Sequence, residues 1–293
     1  MEDSNSCISN KSALVTGASS GIGVHYAAEL ARRGYNVILV SNKENEVKYI
    51  AANIALEIGA EDISDLVQTK IEDDESIKFI GEAMPNNKQW IMGIYKNLAM
   101  PNSAEKLFEF YPNIEVIVNN AGIFFFNDIV DCNMGRIETI INLHILTVTK
   151  LCRLYGERMR NNKKGYILNM ASISVHTPFP GISLYTATKS YIRTFTRAFY
   201  YEMKEYGVKV TVVSPGAVAT DLYRLPKNLQ ELGVNLGIIY RPQKLAKRAL
   251  DKLFIGKKEF IPGCINRLFK PIFSLICGYE IMFVRKKTKY LMK

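Results

Sequence analysis

Between residues 13 and 34 a short apolar run, a glycine-rich turn and a helix-periodic segment follow one another without a break. Ala13-Leu14-Val15 reads as a buried strand, Thr16-Gly17-Ala18-Ser19-Ser20-Gly21-Ile22-Gly23 follows it, and Ala27, Ala28, Leu30 and Ala31 then repeat at helical spacing as far as Gly34. Few arrangements accept that order. Glycine lets the backbone turn tightly and approach a pyrophosphate, while the N-terminus of the helix offers unpaired N–H groups and the positive end of its dipole to an anion. Gly17, Ser19, Ser20, Gly21, Ile22 and Gly23 are therefore candidate contacts for a dinucleotide. A second strand over Asn36 to Ser41 completes the unit.

Further along, strand-like runs alternate with helical patterns, which predicts a doubly wound α/β fold with a parallel sheet and helices on both faces. The chain has 293 residues, 48% of them hydrophobic, enough for one full core. No internal repeat, low-complexity tract or linker divides it. One domain is expected over residues 1–263, followed by a basic, apolar helical extension over 264–293. Five cysteines without Cys-x-x-Cys spacing, and a polar stretch from Met1 to Ser12 in place of a signal peptide, point to a reducing compartment, the cytoplasm.

Tyr185-Thr186-Ala187-Thr188-Lys189 carries the chemistry. Residues i and i+4 are neighbours on a helix, and Ile192, Phe195, Ala198 and Phe199 continue the helical spacing towards Gly207. A free phenol titrates near pH 10, so it is a poor proton donor or acceptor at neutral pH unless a nearby cation favours the phenolate. Lys189 can be that cation.

Together these residues resemble the short-chain dehydrogenase/reductase family, over about residues 11 to 220. Thr16 to Gly23 is similar to the family's cofactor turn. Asn119-Asn120-Ala121-Gly122, after a strand Ile114 to Val118, is similar to its sheet-stabilising turn beside the cofactor. Asn142 matches the asparagine of the catalytic tetrad, and Ser172, thirteen residues before Tyr185, matches its serine, with Ser174 as the substitute. Pro215, Gly216, Val218 and Thr220, after a strand Val208 to Val213, resemble the segment that borders the nicotinamide. The resemblance implies a single-domain Rossmann-like fold with a central parallel sheet of about seven strands. It implies hydride transfer between a nicotinamide cofactor and a carbonyl or alcohol, with Tyr185 as general acid and base and Ser172 holding the carbonyl oxygen. Lys189 would tune the phenol and hold the ribose, and Asn142 would anchor a proton-relaying water. Two extra residues separate Asn142 from Ser172, and Asn161 to Lys164 is the expected place for them. The competing reading is a dinucleotide-binding regulatory or scaffold protein without turnover.

Cofactor choice turns on the end of the second strand. An acidic residue there suits a ribose 2′-OH, whereas donors and positive charge suit a 2′-phosphate. Ser41, Asn42 and Lys43 favour NADP(H), with NAD(H) as the alternative. Lys70 and Ile71 stand where the resemblance places an Asp-Val pair near the adenine, and a lysine cannot accept the adenine amino proton.

Other chemistries fit poorly. With only His25, His144 and His176 and no clustered ligands, no metal site is expected. Ser172 is not on a Gly-x-Ser-x-Gly elbow, which argues against a Ser172/His176 hydrolase; Ser174, His176, Leu222 and Tyr223 are candidate substrate contacts instead. Residues 86–113, after a helix expected from Asp73 to Pro85, read as an insertion. Trp90, Ile91, Ile94, Tyr95 and Leu98 stand there at helical spacing, placed away from the ligand-binding ends of the strands. A lid is expected from Leu222 to Tyr240, whose apolar residues suit a steroid, fatty acyl or other lipid-like ketone. The resemblance adds a homodimer or tetramer.

Charge is concentrated at the end. From Arg241 to Lys293 there are 14 basic residues against 3 acidic ones, in a chain of net +10. Residues 264–293 combine apolar side chains with the cluster Arg285-Lys286-Lys287-Thr288-Lys289, a pattern suited to peripheral contact with an anionic membrane. The apolar run there is too short for a span of about 20 residues. No recognition motif accompanies the charge, so nucleic acid is not an expected partner.

Overall fold

In a computed structural model, residues 11–59, 70–71, 78–83, 89–176, 180–220 and 226–263 are described. The expected extension 264–293 and the candidates Leu222 and Tyr223 lie outside them. Among the described residues nine strands form one sheet in the order β3-β4-β5-β2-β1-β6-β7-β8-β9. They span Ser12–Thr16 (β1), Asn36–Ser41 (β2), Lys70–Ile71 (β3), Lys78–Ala83 (β4) and Ile91–Tyr95 (β5). Val116–Asn119 (β6), Gly165–Met170 (β7), Val208–Val213 (β8) and Glu259–Phe260 (β9) follow. From β5 to β9 in that order every pairing is parallel, giving the seven-stranded parallel core expected. The short β3 and β4 add an antiparallel edge.

Alternation along the strands divides the core into two layers. Ala13, Val15, Val37, Leu39, Val116 and Val118 face helices α1 (Gly21–Arg32), α2 (Glu44–Glu57) and α8 (Pro242–Phe254), through Tyr26, Leu30, Val47, Ile54, Leu250 and Leu253. Leu14, Ile38, Val40 and Ile117 point the other way. They meet Leu107 of α3 (Ser103–Phe110), Leu151 and Tyr155 of α5 (Thr147–Asn161) and Ile192 of α6 (Ser183–Lys204). Both faces of the sheet are thus covered, which is why its strands are apolar throughout. Helices α4 (Met134–Ile141) and α7 (Lys227–Asn235) complete the set. No helix among the described residues is long and apolar enough to cross a membrane.

The segment expected to be an insertion is corrected by the topology. Ile91–Tyr95 is not helical; it is β5, paired in register with β2 from Val37 to Ser41. Residues 78–83, expected within a helix, are β4. A short apolar run fits one helix face and a doubly buried strand equally well by periodicity, and here the free edge of β2 decides for strand. The consequence reaches the site, because the carboxyl end of β5 delivers Lys96, Asn97 and Leu98 to the ligand-binding side of the sheet. Lys70 and Ile71 instead form β3, the outermost strand, separated from β2 by β4 and β5. Beside β2 the described cavity wall therefore comes from β5, and Lys70 and Ile71 are not among its described lining residues.

Candidate active site

The chain runs from β1 to β2 and β5 on one side, then from β6 to β9 on the other, so the order reverses between β1 and β6. Ligands of open α/β sheets bind at such a switch point, outside the carboxyl ends of the strands. There the structure has a cavity of about 450 Å³ whose walls come from the ends of β1, β2, β5, β6, β7 and β8.

The turn after β1 is fastened to the turn after β6. Thr16 Oγ1 accepts from the backbone N–H groups of Asn120 and Ala121, both at 3.0 Å, and Asn120 Nδ2 donates to the carbonyls of Thr16 and Gly17, both at 3.1 Å. Two glycines are obligatory in this junction. Gly17 sits at φ +66° with the place of a Cβ 2.7 Å from Ala121 Cα, and a Cβ on Gly23 would lie 2.1 Å from the Gly17 carbonyl oxygen. The first turn of α1 contains no acidic residue, and Ser20 makes no side-chain cap. The free N–H groups of the helix therefore open into the cavity without competition, the arrangement a pyrophosphate requires.

At the β2 end, buried Ser41 Oγ donates to Ser19 Oγ at 2.7 Å and accepts from the Lys43 backbone N–H at 3.1 Å. Asn42 and Lys43 complete this wall, and Lys96, only 1% exposed, stands opposite at the end of β5. Lys43, Lys96 and Lys189 line the cavity, whereas no Asp or Glu does among the described residues. A phosphate-rich dinucleotide matches that charge.

Ser172, Tyr185 and Lys189 come together at the β7 and α6 side, each less than a tenth exposed. Lys189 Nζ donates to the Met170 carbonyl at 2.9 Å and lies 5.7 Å from the Tyr185 ring centre. Burial pushes its pKa down to about 8. The Tyr185 ring is held edge-on by Phe124, with centroids 5.1 Å apart, and by His144 at 6.0 Å. Ser172 Oγ accepts from Ser174 N at 3.2 Å and from Ser174 Oγ at 3.0 Å. With both lone pairs engaged, its own proton is left to donate. Ser174 thus orients Ser172 rather than lining the cavity, and His176, ending the turn Ile173–His176, is likewise absent from the described lining. Pro215, Gly216, Val218 and Thr220 close the β8 side of the cavity.

Asn142 does not take the place the sequence suggests. It opens a π-helical turn, Asn142–Leu146, between α4 and α5, and is not among the described lining residues. The side chain that reaches the back of the site is His144, two residues on. That offset equals the two extra residues counted between Asn142 and Ser172, so the discrepancy belongs to the asparagine and not to Asn161–Lys164. Sequence reading also missed Val40, Lys96, Asn97, Leu98, Ile123, Leu143, Met170 and Ala171 in the lining. All but Leu143 lie at, or within four residues of, the carboxyl end of a parallel strand, the one signal that could have found them.

Among the described residues no group of three or more His, Cys, Asp or Glu could hold a metal ion. Cys152 is buried in a polar knot with Asn119, Asn169 and Thr196, and burial pushes its thiol up to about 12. It is a structural thiol.

Comparison with known proteins identifies the family and the fold. A family model described as short chain dehydrogenase matches residues 11–105 and 50–228. The very-long-chain 3-oxoacyl-CoA reductase of Anas platyrhynchos is 30% identical over 282 residues, covering 94% of this chain and 79% of that protein. The 17-beta-hydroxysteroid dehydrogenase type 3 of Mus musculus is 28% identical, covering 93% and 81%. Among solved structures, a short-chain dehydrogenase from Sphingobium yanoikuyae in complex with NADPH gives a TM-score of 0.69 at 22% identity, over 92% of this chain and 97% of that one.

Proposed function

The chain belongs to the short-chain dehydrogenase family and is an oxidoreductase, and from that premise we propose that it interconverts a hydrophobic ketone and its secondary alcohol with NADP(H). The observation that carries this reading is the convergence of buried Ser172, Tyr185 and Lys189 on a cavity lined, among the described residues, by three lysines and no carboxylate. When bound, the nicotinamide supplies hydride to the carbonyl carbon or accepts it in the reverse direction. Tyr185 donates its phenolic proton to the carbonyl oxygen as negative charge develops there, an acid role worth about 10²–10⁴-fold. Ser172, with its proton free, donates a second hydrogen bond to that oxygen and sets its distance from Tyr185. Lys189 favours the phenolate after transfer and holds the ribose. The N-terminus of α1 and the Gly17–Ile22 turn hold the pyrophosphate.

NADP(H) is preferred over NAD(H) because Ser19, Asn42 and Lys43 present donors and a cation at the end of β2, where Ser41 orients Ser19 and no carboxylate stands among the described residues, an arrangement that suits a 2′-phosphate. Ser41→Asp is expected to lower kcat/KM for NADPH at least tenfold relative to NADH by setting a carboxylate against that phosphate. Parallel kinetics with the two cofactors check this, and an unchanged ratio contradicts it.

The relatives named for very-long-chain 3-oxoacyl-CoA and for steroid substrates support a lipid-like ketone, as do Leu98, Leu143 and Ile123 in the lining and Phe124 against Tyr185. The test is a screen of steroid and long-chain 3-oxoacyl ketones for NADPH oxidation; no turnover of any hydrophobic ketone would refute the reading. The proposal extends to a homo-oligomer in a reducing compartment, with residues 264–293 attaching it to anionic bilayers. Deleting them is expected to abolish salt-sensitive co-sedimentation with anionic vesicles. Equal sedimentation of full and truncated chains would exclude the attachment.

A further inference from the structure

His144 is 1% exposed, and every polar atom of its ring is spoken for. The Ile123 backbone N–H donates to Nε2 at 3.0 Å, which fixes that nitrogen as an acceptor. Nδ1 lies 2.9 Å from Thr188 Oγ1. The Thr188 hydroxyl already donates to the Tyr185 carbonyl at 2.8 Å, so Nδ1 must carry the proton of the second bond. One neutral tautomer, Nδ1–H, satisfies all three bonds. The ring therefore joins the Gly122–Ile123 turn, part of the cavity floor, to the first turns of α6 that carry Tyr185 and Lys189.

Two backbone features accommodate this ring. The π-helical turn Asn142–Leu146 interrupts an otherwise continuous helix and turns position 144 inward, and such turns recur at functional sites. A Cβ on Gly122 would lie 2.9 Å from His144 Nε2, so any larger residue would push the imidazole away.

We infer that His144 is a positioning residue of the oxidoreductase site, bracing the Gly122–Ile123 floor against the Tyr185 helix as its neutral Nδ1–H tautomer. Protonation would destroy the brace, because an imidazolium has no acceptor for the Ile123 N–H. Burial, and next the charge of Lys189, hold the ring well below the ordinary histidine pKa. Among the described residues, the titratable groups facing it are Lys189 and Tyr185, both on α6.

The inference rests on the proposed reduction for its kinetic consequence, but not for its tautomer. Nitrogen-15 imidazole spectra of the cofactor-free protein at pH 7 should show Nδ1 protonated and Nε2 bare; an Nε2–H tautomer or an imidazolium overturns it. His144→Phe keeps the bulk and loses both bonds, whereas His144→Gln places Oε1 near Nε2 and keeps the acceptor. With NADPH and a reducible ketone, the Phe variant should lose about tenfold or more in kcat through misplacement of the floor, while the ketone KM stays within about threefold and the Gln variant recovers most of the loss. A smaller loss in the Phe variant, a loss confined to KM, or a Gln variant no better than Phe overturns the role. If the Phe variant does not fold, Gln should exceed His144→Asn, which is too short to reach Ile123, and the reverse order overturns it. A parent chain that reduces no ketone defeats the proposed function alone, and the spectra then decide the place of His144.

Discussion

Tyr185→Phe is expected to lower kcat by about 10²-fold or more while leaving NADPH affinity within about threefold. The ring packs edge-on between Phe124 and His144, and Phe reproduces every carbon of that contact. What disappears is the hydroxyl, and with it the proton for the developing alkoxide. Because the interaction is made chiefly in the transition state, kcat and kcat/KM should fall together. Turnover near that of the parent would remove the phenol from the chemistry.

Lys189→Met has two effects of opposite sign. Catalysis should fall by about 10²-fold or more, because the phenol loses the charge that tunes it, and cofactor affinity should fall with it. Stability of the cofactor-free protein should rise. Burial lowers the Lys189 pKa from 10.5 to about 8, so at neutral pH the fold holds a desolvated ammonium. The shift corresponds to about 3 kcal/mol at pH 7, reduced by the loss of the bond to Met170. The sign of its pH dependence is fixed. A base whose folded pKa lies below its unfolded pKa destabilises the fold fully below the folded value, and the penalty fades as pH rises towards the unfolded one. The advantage of the Met variant should therefore be constant below about pH 8 and shrink between 8 and 10.5. Urea midpoints of both proteins from pH 6 to 10.5 check this, and an advantage that grows with pH would contradict it. A residue that weakens the fold while serving the chemistry is expected at a functional site.

What could be read from the chain alone was what depends on local backbone. Gly23 is forced by the Gly17 carbonyl six residues earlier, so the β1-turn-α1 unit is visible as a string of letters, although Gly17 itself packs against the distant Ala121. Tyr185 and Lys189 share one helix, and their spacing is their geometry. The failures share the opposite cause. Ile91–Tyr95 satisfies a helical period, but the unpaired edge of β2, some fifty residues earlier, makes it a strand and brings Lys96 and Asn97 into the cavity. Asn142 has the expected chemistry and the wrong offset. Only the π-helical turn, which side-chain spacing does not encode, reveals that position 144 faces inward. Ser174 stands close enough to Ser172 in sequence to suggest a substrate contact, yet its hydrogen bonds turn it towards Ser172 itself.

The most direct measurement is the fate of a labelled hydride. Reduction of a hydrophobic ketone by the full chain with NADPH deuterated at the reactive nicotinamide carbon should give an alcohol with one deuterium on the carbon that bears the new hydroxyl, and Tyr185→Phe should form it about 10²-fold more slowly. An alcohol without deuterium at that carbon, or equal formation by the parent and Tyr185→Phe, would contradict direct transfer assisted by this site.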